Sequence, residues 1–155
     1  MKKDYPSFKR TIKTFYKKHG RNDLPWRKAT DPYKILVSEI MLQQTQVKTV
    51  IPYFNNFTNK YKSLAALSKS SEKEILKMWE GLGYYRRARN LLACSKELIN
   101  NYKSKLPKTL EEIKKLPGVG EYTGNALLAL IYDKPTIAID GNVKRVFSRN
   151  LNREE

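Results

Sequence analysis

Apolar residues recur along most of the chain at spacings of three and four, and strand-like alternation is almost absent. Phe8, Ile12, Phe15 and Tyr16 mark one face of a first helix, with Gly20 as its stop. Residues 21–30 form a polar connection that holds Leu24-Pro25-Trp26-Arg27. Asp31-Pro32 reads as an N-cap and first helical residue. The helix it opens, Tyr33 to about Leu42, is apolar around most of its girth (Ile35, Leu36, Val37, Ile40, Met41, Leu42) and is expected to be buried. Thr45 is expected to cap a helix that turns Val47, Val50, Ile51 and Phe54 inward. Ser71 and Glu74 form a capping box ahead of Ile75, Met78 and Trp79, and Gly81 ends that helix. Tyr85, Ala88, Leu91, Leu92, Cys94 and Leu98 run along the next one. A second capping-box pattern, Thr109 to Glu112, leads to a tight turn, Lys115–Gly124, and Ala126, Leu127 and Leu130 mark the helix behind it. Pro135 interrupts the pattern, residues 136–139 read as extended, and Asp140 caps a last helix through Val143, Val146 and Phe147. There is no internal repeat and no low-complexity linker. The pattern predicts about eight or nine short helices, an all-α orthogonal bundle.

Charge narrows the partner. Among 155 residues, 31 Lys and Arg face 15 Asp and Glu, a net charge of +16. Such an excess implies a polyanion, either nucleic acid or an anionic membrane surface. A Lys-rich composition would raise the lysine count without placing arginines inside motifs. No apolar run approaches the ~20 residues that span a bilayer, and Met1–Pro6 lacks the apolar stretch of a secretory signal. The helices carry apolar faces suited to one another rather than the two-faced Lys-rich pattern of a membrane-surface helix. The single cysteine, Cys94, cannot form an internal disulfide or a cysteine metal site and is expected to be a packed thiol. These features read as a soluble intracellular chain, expected to be cytoplasmic and nucleoid-associated if bacterial.

Four stretches could carry chemistry. In the turn Leu116-Pro117-Gly118-Val119-Gly120, two glycines one residue apart precede a helix, so free amides and a dipole end meet at one point. This is either a phosphate site or an ordinary surface connection. Glu39 sits mid-helix among apolar residues. It is either one half of a buried ion pair with an arginine or a general acid with a raised pKa. Asp140 is a good N-cap in its own right, yet a carboxylate at a helix N-terminus also stays ionised. One carboxyl that keeps its proton and one that loses it form an acid–base pair suited to cleaving a bond to a sugar carbon. Gln43-Gln44-Thr45-Gln46 offers amides to base edges, or is a solvated turn. Gly81-Leu82-Gly83-Tyr84-Tyr85-Arg86-Arg87 sets aromatics beside paired arginines. It suits insertion into a base stack with phosphate clamping, or packs two tyrosines between helices.

The turn with Tyr122-Thr123, together with Ile139-Asp140-Gly141-Asn142-Val143, resembles the helix–hairpin–helix DNA glycosylases. Leu24–Arg27, Ser38–Val47, Gly81–Tyr85 and Asp140–Val146 resemble, within them, the adenine glycosylases that act on adenine mispaired with 8-oxoguanine (MutY type). The resemblance runs from about residue 5 to residue 150. It implies that Glu39 protonates adenine N7, that Asp140 stabilises the cationic sugar, and that Asn142 orients Asp140. Tyr122 stands where strand-cutting relatives carry a Schiff-base lysine, which implies base removal without efficient strand cleavage. Gln43, Gln44, Thr45, Leu82 and Tyr84 would hold or wedge beside the base left in the duplex, and Trp26 and Arg27 would border the adenine pocket. Gly118, Gly120, Arg86 and Arg87 would grip the DNA backbone, and the carbonyls of residues 116–120 would hold a monovalent cation. The partner implied is double-stranded DNA with an A·8-oxoguanine or A·G mismatch.

The family also carries further C-terminal helices, usually with four cysteines binding an iron–sulfur cluster, and these ligands are absent from this sequence. On this reading residues 28–134 form a six-helix lobe with the helix–hairpin–helix at about 110–131. Residues 1–27 and 135–155 are parts of an incomplete second lobe, leaving Phe8, Ile12, Phe15, Val143, Val146 and Phe147 short of apolar partners. Two other readings stay in play: a thymine-mismatch glycosylase of the same superfamily, and a DNA-binding fragment without catalysis.

Overall fold

The computed structural model describes residues 5–28 and 30–151, apart from the side chain of Tyr5. The reading of the N-terminal Met1–Asp4 therefore lies outside the described residues. Among those described there are nine α-helices, one short 3-10 turn and no strand. The chain divides into two compact units, Pro25–Ala138 and a smaller one made of Met1–Leu24 with Ile139–Glu155.

The larger unit is built around α2 (Pro32–Leu42). Asp31 caps it as expected, its carboxylate accepting from Tyr33 N at 2.9 Å. Leu36, Val37, Ile40 and Met41 have no exposed surface. α3 (Val47–Lys60), α6 (Arg86–Asn101) and α8 (Glu121–Tyr132) pack on α2, α4 (Leu64–Ser68) and α5 (Glu72–Met78) pack on α6, and α7 (Leu110–Ile113) packs on α8. Phe57 and Trp79 pack edge to face at 5.9 Å within this core, beside Leu67, Ile75, Leu91, Leu98, Ile113, Leu116 and Leu127. Cys94 is buried there, and burial pushes its thiol up to about 12. It is a packing residue.

Local details differ from the sequence expectations. Thr45 does not cap α3. The cap is Gln46, without a side-chain bond, because residues 43–45 form a separate turn in which Gln44 takes a left-handed conformation (φ +57°). The Ser71–Glu74 box is complete. At α7 only half of the second box forms. Thr109 accepts from Glu112 N at 3.3 Å, but the Glu112 carboxylate turns to Lys115 at 2.5 Å and to Tyr102 at 3.4 Å. In α8 the buried face includes Leu128, and Leu130 is exposed. The short α4, capped by Ser63, has no counterpart in the sequence reading. The first unit boundary falls before Pro25, because the 3-10 turn Pro25–Arg27 is anchored by Trp26, buried edge-on against Phe54 at 5.3 Å.

The smaller unit holds α1 (Tyr5–His19) and α9 (Gly141–Leu151). Phe8 and Phe147 meet edge to face at 5.5 Å. Beyond that contact the apolar faces are open: Phe15 is 65% exposed, and Ile12, Tyr16 and Val146 are exposed too.

Candidate active site

Glu39 lies in the last turns of α2, between buried Ser38 and Ile40, and is itself partly buried. Burial pushes its carboxyl up to about 7, while the nearby Arg27 guanidinium pulls the other way with less effect. The arginine of the ion-pair reading stands nearby, and its pull on the carboxyl is smaller than that of burial. A carboxyl raised to about 7 keeps part of its proton near neutral pH, as a general acid requires.

Asp140 behaves in the opposite way for a local reason. Its Oδ1 accepts from Val143 N at 2.8 Å, and its Oδ2 from Asn142 Nδ2 at 3.1 Å. The backbone hydrogen bond from Val143 is the largest cause holding this carboxyl below the usual aspartate range. Arg145 Nη2 donates to Asn142 Oδ1 at 2.6 Å, so Asn142 is itself fixed from behind. Cap and ionised carboxylate are one arrangement here.

The hairpin between α7 and α8 needs its first glycine. Gly118 has φ +79°, and a Cβ there would lie 2.8 Å from Asn90 Cβ. Gly120 is the N-cap of α8 and brings no side-chain cap, so the first amides of this twelve-residue helix are not taken up by a capping side chain. Tyr122 sits in that first turn, 46% exposed. Of the carbonyls expected to hold a monovalent cation, Leu116 O accepts Val119 N at 3.1 Å and Gly118 O accepts Gln43 Nε2 at 3.2 Å.

Three expected DNA contacts are employed otherwise. Gln43 spends its amide inside the fold, donating to Gly118 O and to buried Thr123 Oγ1 at 3.1 Å. Leu82 is 5% exposed, its N–H bonded to Trp79 O at 3.0 Å, so it is packed rather than presented as a wedge. Arg87 is 6% exposed and points at main-chain carbonyls, not outward to a phosphate. The signal for this was in the spacing: Arg87, Leu91, Cys94 and Leu98 lie on one stripe of α6. Gln44, Tyr84 and Arg86 remain exposed, with Thr45 partly so. Asn90, which lies against Gly118 from α6, carried no signal in the sequence; Thr123, which accepts from Gln43, stood in the hairpin motif without a role.

The sequence of the chain matches the profile of the HhH-GPD superfamily base excision DNA repair proteins over residues 37–155. The chain belongs to the HhH-GPD superfamily. It is 44% identical over 151 residues to an adenine DNA glycosylase of Buchnera aphidicola subsp. Baizongia pistaciae, covering 95% of this chain and 43% of that protein. It is 37% identical over 147 residues to a thymine/uracil-DNA glycosylase of Pyrobaculum aerophilum, covering 94% and 64%. The solved structure of a thermostable thymine-DNA glycosylase superposes with a TM-score of 0.86 at 35% identity, covering 92% of this chain and 66% of that one. The chain thus spans under half the length of the first relative. Among the described residues no helix is long and apolar enough to cross a membrane.

Proposed function

We propose that this chain carries out base removal in DNA repair, hydrolysing the N-glycosidic bond of adenine mispaired with 8-oxoguanine or guanine in duplex DNA. The observation that carries this reading is Glu39, a partly buried carboxyl pushed up to about 7, within a Ser38–Val47 segment that resembles the adenine glycosylase pattern. The duplex hides the glycosidic bond, so the adenine is flipped out first. Glu39 gives its proton to N7 of adenine, the bond from the sugar C1′ to N9 breaks with its electron pair leaving on the base, and Asp140 lends negative charge to the sugar cation. Water then adds at C1′ and its proton passes to a carboxylate, which leaves Glu39 protonated again at the end of the turnover. Tyr122 has no amine to form a Schiff base, so the strand stays intact. The α8 amides at Gly120 and exposed Arg86 hold backbone phosphates, and the +16 charge draws the chain to DNA.

The test is a duplex with one A·8-oxoguanine pair, treated with hot alkali after incubation. Alkali-dependent cleavage above that of Glu39→Gln supports the reading; none above that control rejects it, and cleavage without alkali rejects the monofunctional assignment. The thymine/uracil relative and the thymine-DNA glycosylase structure favour a second reading, thymine removal from G·T pairs. A G·T duplex in the same assay decides between them. Binding without base release on either duplex would leave a DNA-binding module.

A further inference from the structure

Arg87 is a buried cation that the proposed chemistry does not use. Its Nη1 donates to Met41 O at 2.6 Å and Ile40 O at 3.4 Å, and also to Gln43 O; its Nη2 donates to Gly83 O at 3.1 Å. Trp79 Nε1 donates to the same Gly83 carbonyl at 3.1 Å. One guanidinium therefore closes the C-terminus of α2, where carbonyls are left over and the dipole is negative, and also holds the Gly81–Tyr84 turn. The residues after the two outermost carbonyls are the ones that matter. Gln44 follows Gln43 at φ +57°, and Tyr84 follows Gly83 at φ +50°. Both are non-glycine residues in a left-handed conformation, which persists only where the surroundings over-determine it. Both are exposed, and the Tyr84 ring lies 5.3 Å from the guanidinium carbon.

We propose that Arg87 is a positioning residue that sets selectivity for the base opposite adenine. Its planar fork joins the two turns, so that Gln44 and Tyr84 are presented to the duplex in fixed register, while Arg87 itself touches no DNA. A lysine keeps the charge but, as a single ammonium on a flexible stem, has no rigid fork with which to hold both turns in register. This proposal rests on the glycosylase reading. Its test is therefore run as binding without turnover, and adenine release by the unsubstituted chain judges that reading separately.

In a Glu39→Gln background, Kd is measured over a range of salt for a duplex with A opposite 8-oxoguanine and for the same duplex fully paired. The variants are Arg87→Lys, Arg86→Ala, and Gln44→Ala with Tyr84→Ala, the last with and without Arg87→Lys. Arg87→Lys is expected to cut the preference for the mismatch about tenfold and to leave the salt slope unchanged. Arg86→Ala is expected to lower the slope by about one while keeping the preference. Adding Arg87→Lys to the Gln44→Ala, Tyr84→Ala chain is expected to change nothing more, which a merely structural residue would not give. Retained preference in Arg87→Lys, a salt slope lowered by it, equal weakening on both duplexes, or no mismatch preference before substitution would each overturn the proposal.

Discussion

Helices α2 and α9 are both eleven residues long, and each carries or is capped by one of the two carboxyls. α2 buries seven of its residues; α9 buries none. The two carboxyls differ accordingly. Glu39 is raised to about 7 by the apolar mass around it. Asp140 is lowered by hydrogen bonds within three residues of itself. A raised carboxyl needs a core to exclude water, so the acid sits on the best-packed helix. A lowered one needs only a helix N-terminus, so it tolerates a thinly packed element.

The largest effect that separates the two is on rate. Glu39→Gln removes the proton donor, and single-turnover adenine release should fall about 10²–10⁴-fold. Asp140→Asn should cost about 10²–10³-fold. Asn caps as well as Asp, so α9 still starts at Gly141 and only the charge is lost. An Asp140→Asn chain at full rate would reduce Asp140 to a cap. The pH profile follows from the same pair. Release should fall as pH rises through about 7, where Glu39 loses its proton, and should hold on the acid side until below the usual aspartate range.

The next effect is on stability. Leu36 has no exposed surface, and Leu36→Ala should destabilise the larger unit by about 3 kcal/mol in urea unfolding, through lost transfer energy and a cavity. An effect under about 1 kcal/mol would mean that α2 is not the packed centre.

Why α2 was legible in the sequence and other parts were not follows from how each is held. An all-round apolar helix can only be buried, so Leu36, Ile40 and the odd carboxyl among them could be read directly. Asp140 was legible because capping is local. The roles of Gln43 and Arg87 were not, since each depends on a partner far along the chain: Gly118 for Gln43 and Met41 for Arg87. A polar residue beside a binding motif looks the same in sequence whether it reaches outward to DNA or inward to a carbonyl. The Thr45 cap failed for a related reason, because the Gln44 turn takes up the residues that capping would have used.

A second effect on stability arises from Glu39 itself. Below about pH 4.5 the carboxyl is protonated folded and unfolded alike. Between there and about 7 only the folded state holds the proton, so each pH unit lowers stability by about 1.4 kcal/mol, and above 7 the loss is complete. Glu39→Gln has no charge to bury. It should be more stable than the unsubstituted chain by about 3 kcal/mol at pH 8 and by less than about 1 kcal/mol at pH 5, in urea unfolding at each pH. A stability gain joined to a lost reaction is what a strained functional group gives. A pH-independent difference would mean that Glu39 is not held above its ordinary range.

The smallest effect belongs to α9. Val146 is exposed, so Val146→Ala removes methyl groups that water already reaches. Its cost in urea unfolding should stay below about 0.5 kcal/mol, against about 3 for Leu36→Ala. This contrast is sharper than the comparison of exposures, because it asks whether the open face of α9 is open in solution. A cost above about 1 kcal/mol would mean that the face is covered there, and that Asp140 rests on a better-packed helix than its own contacts provide.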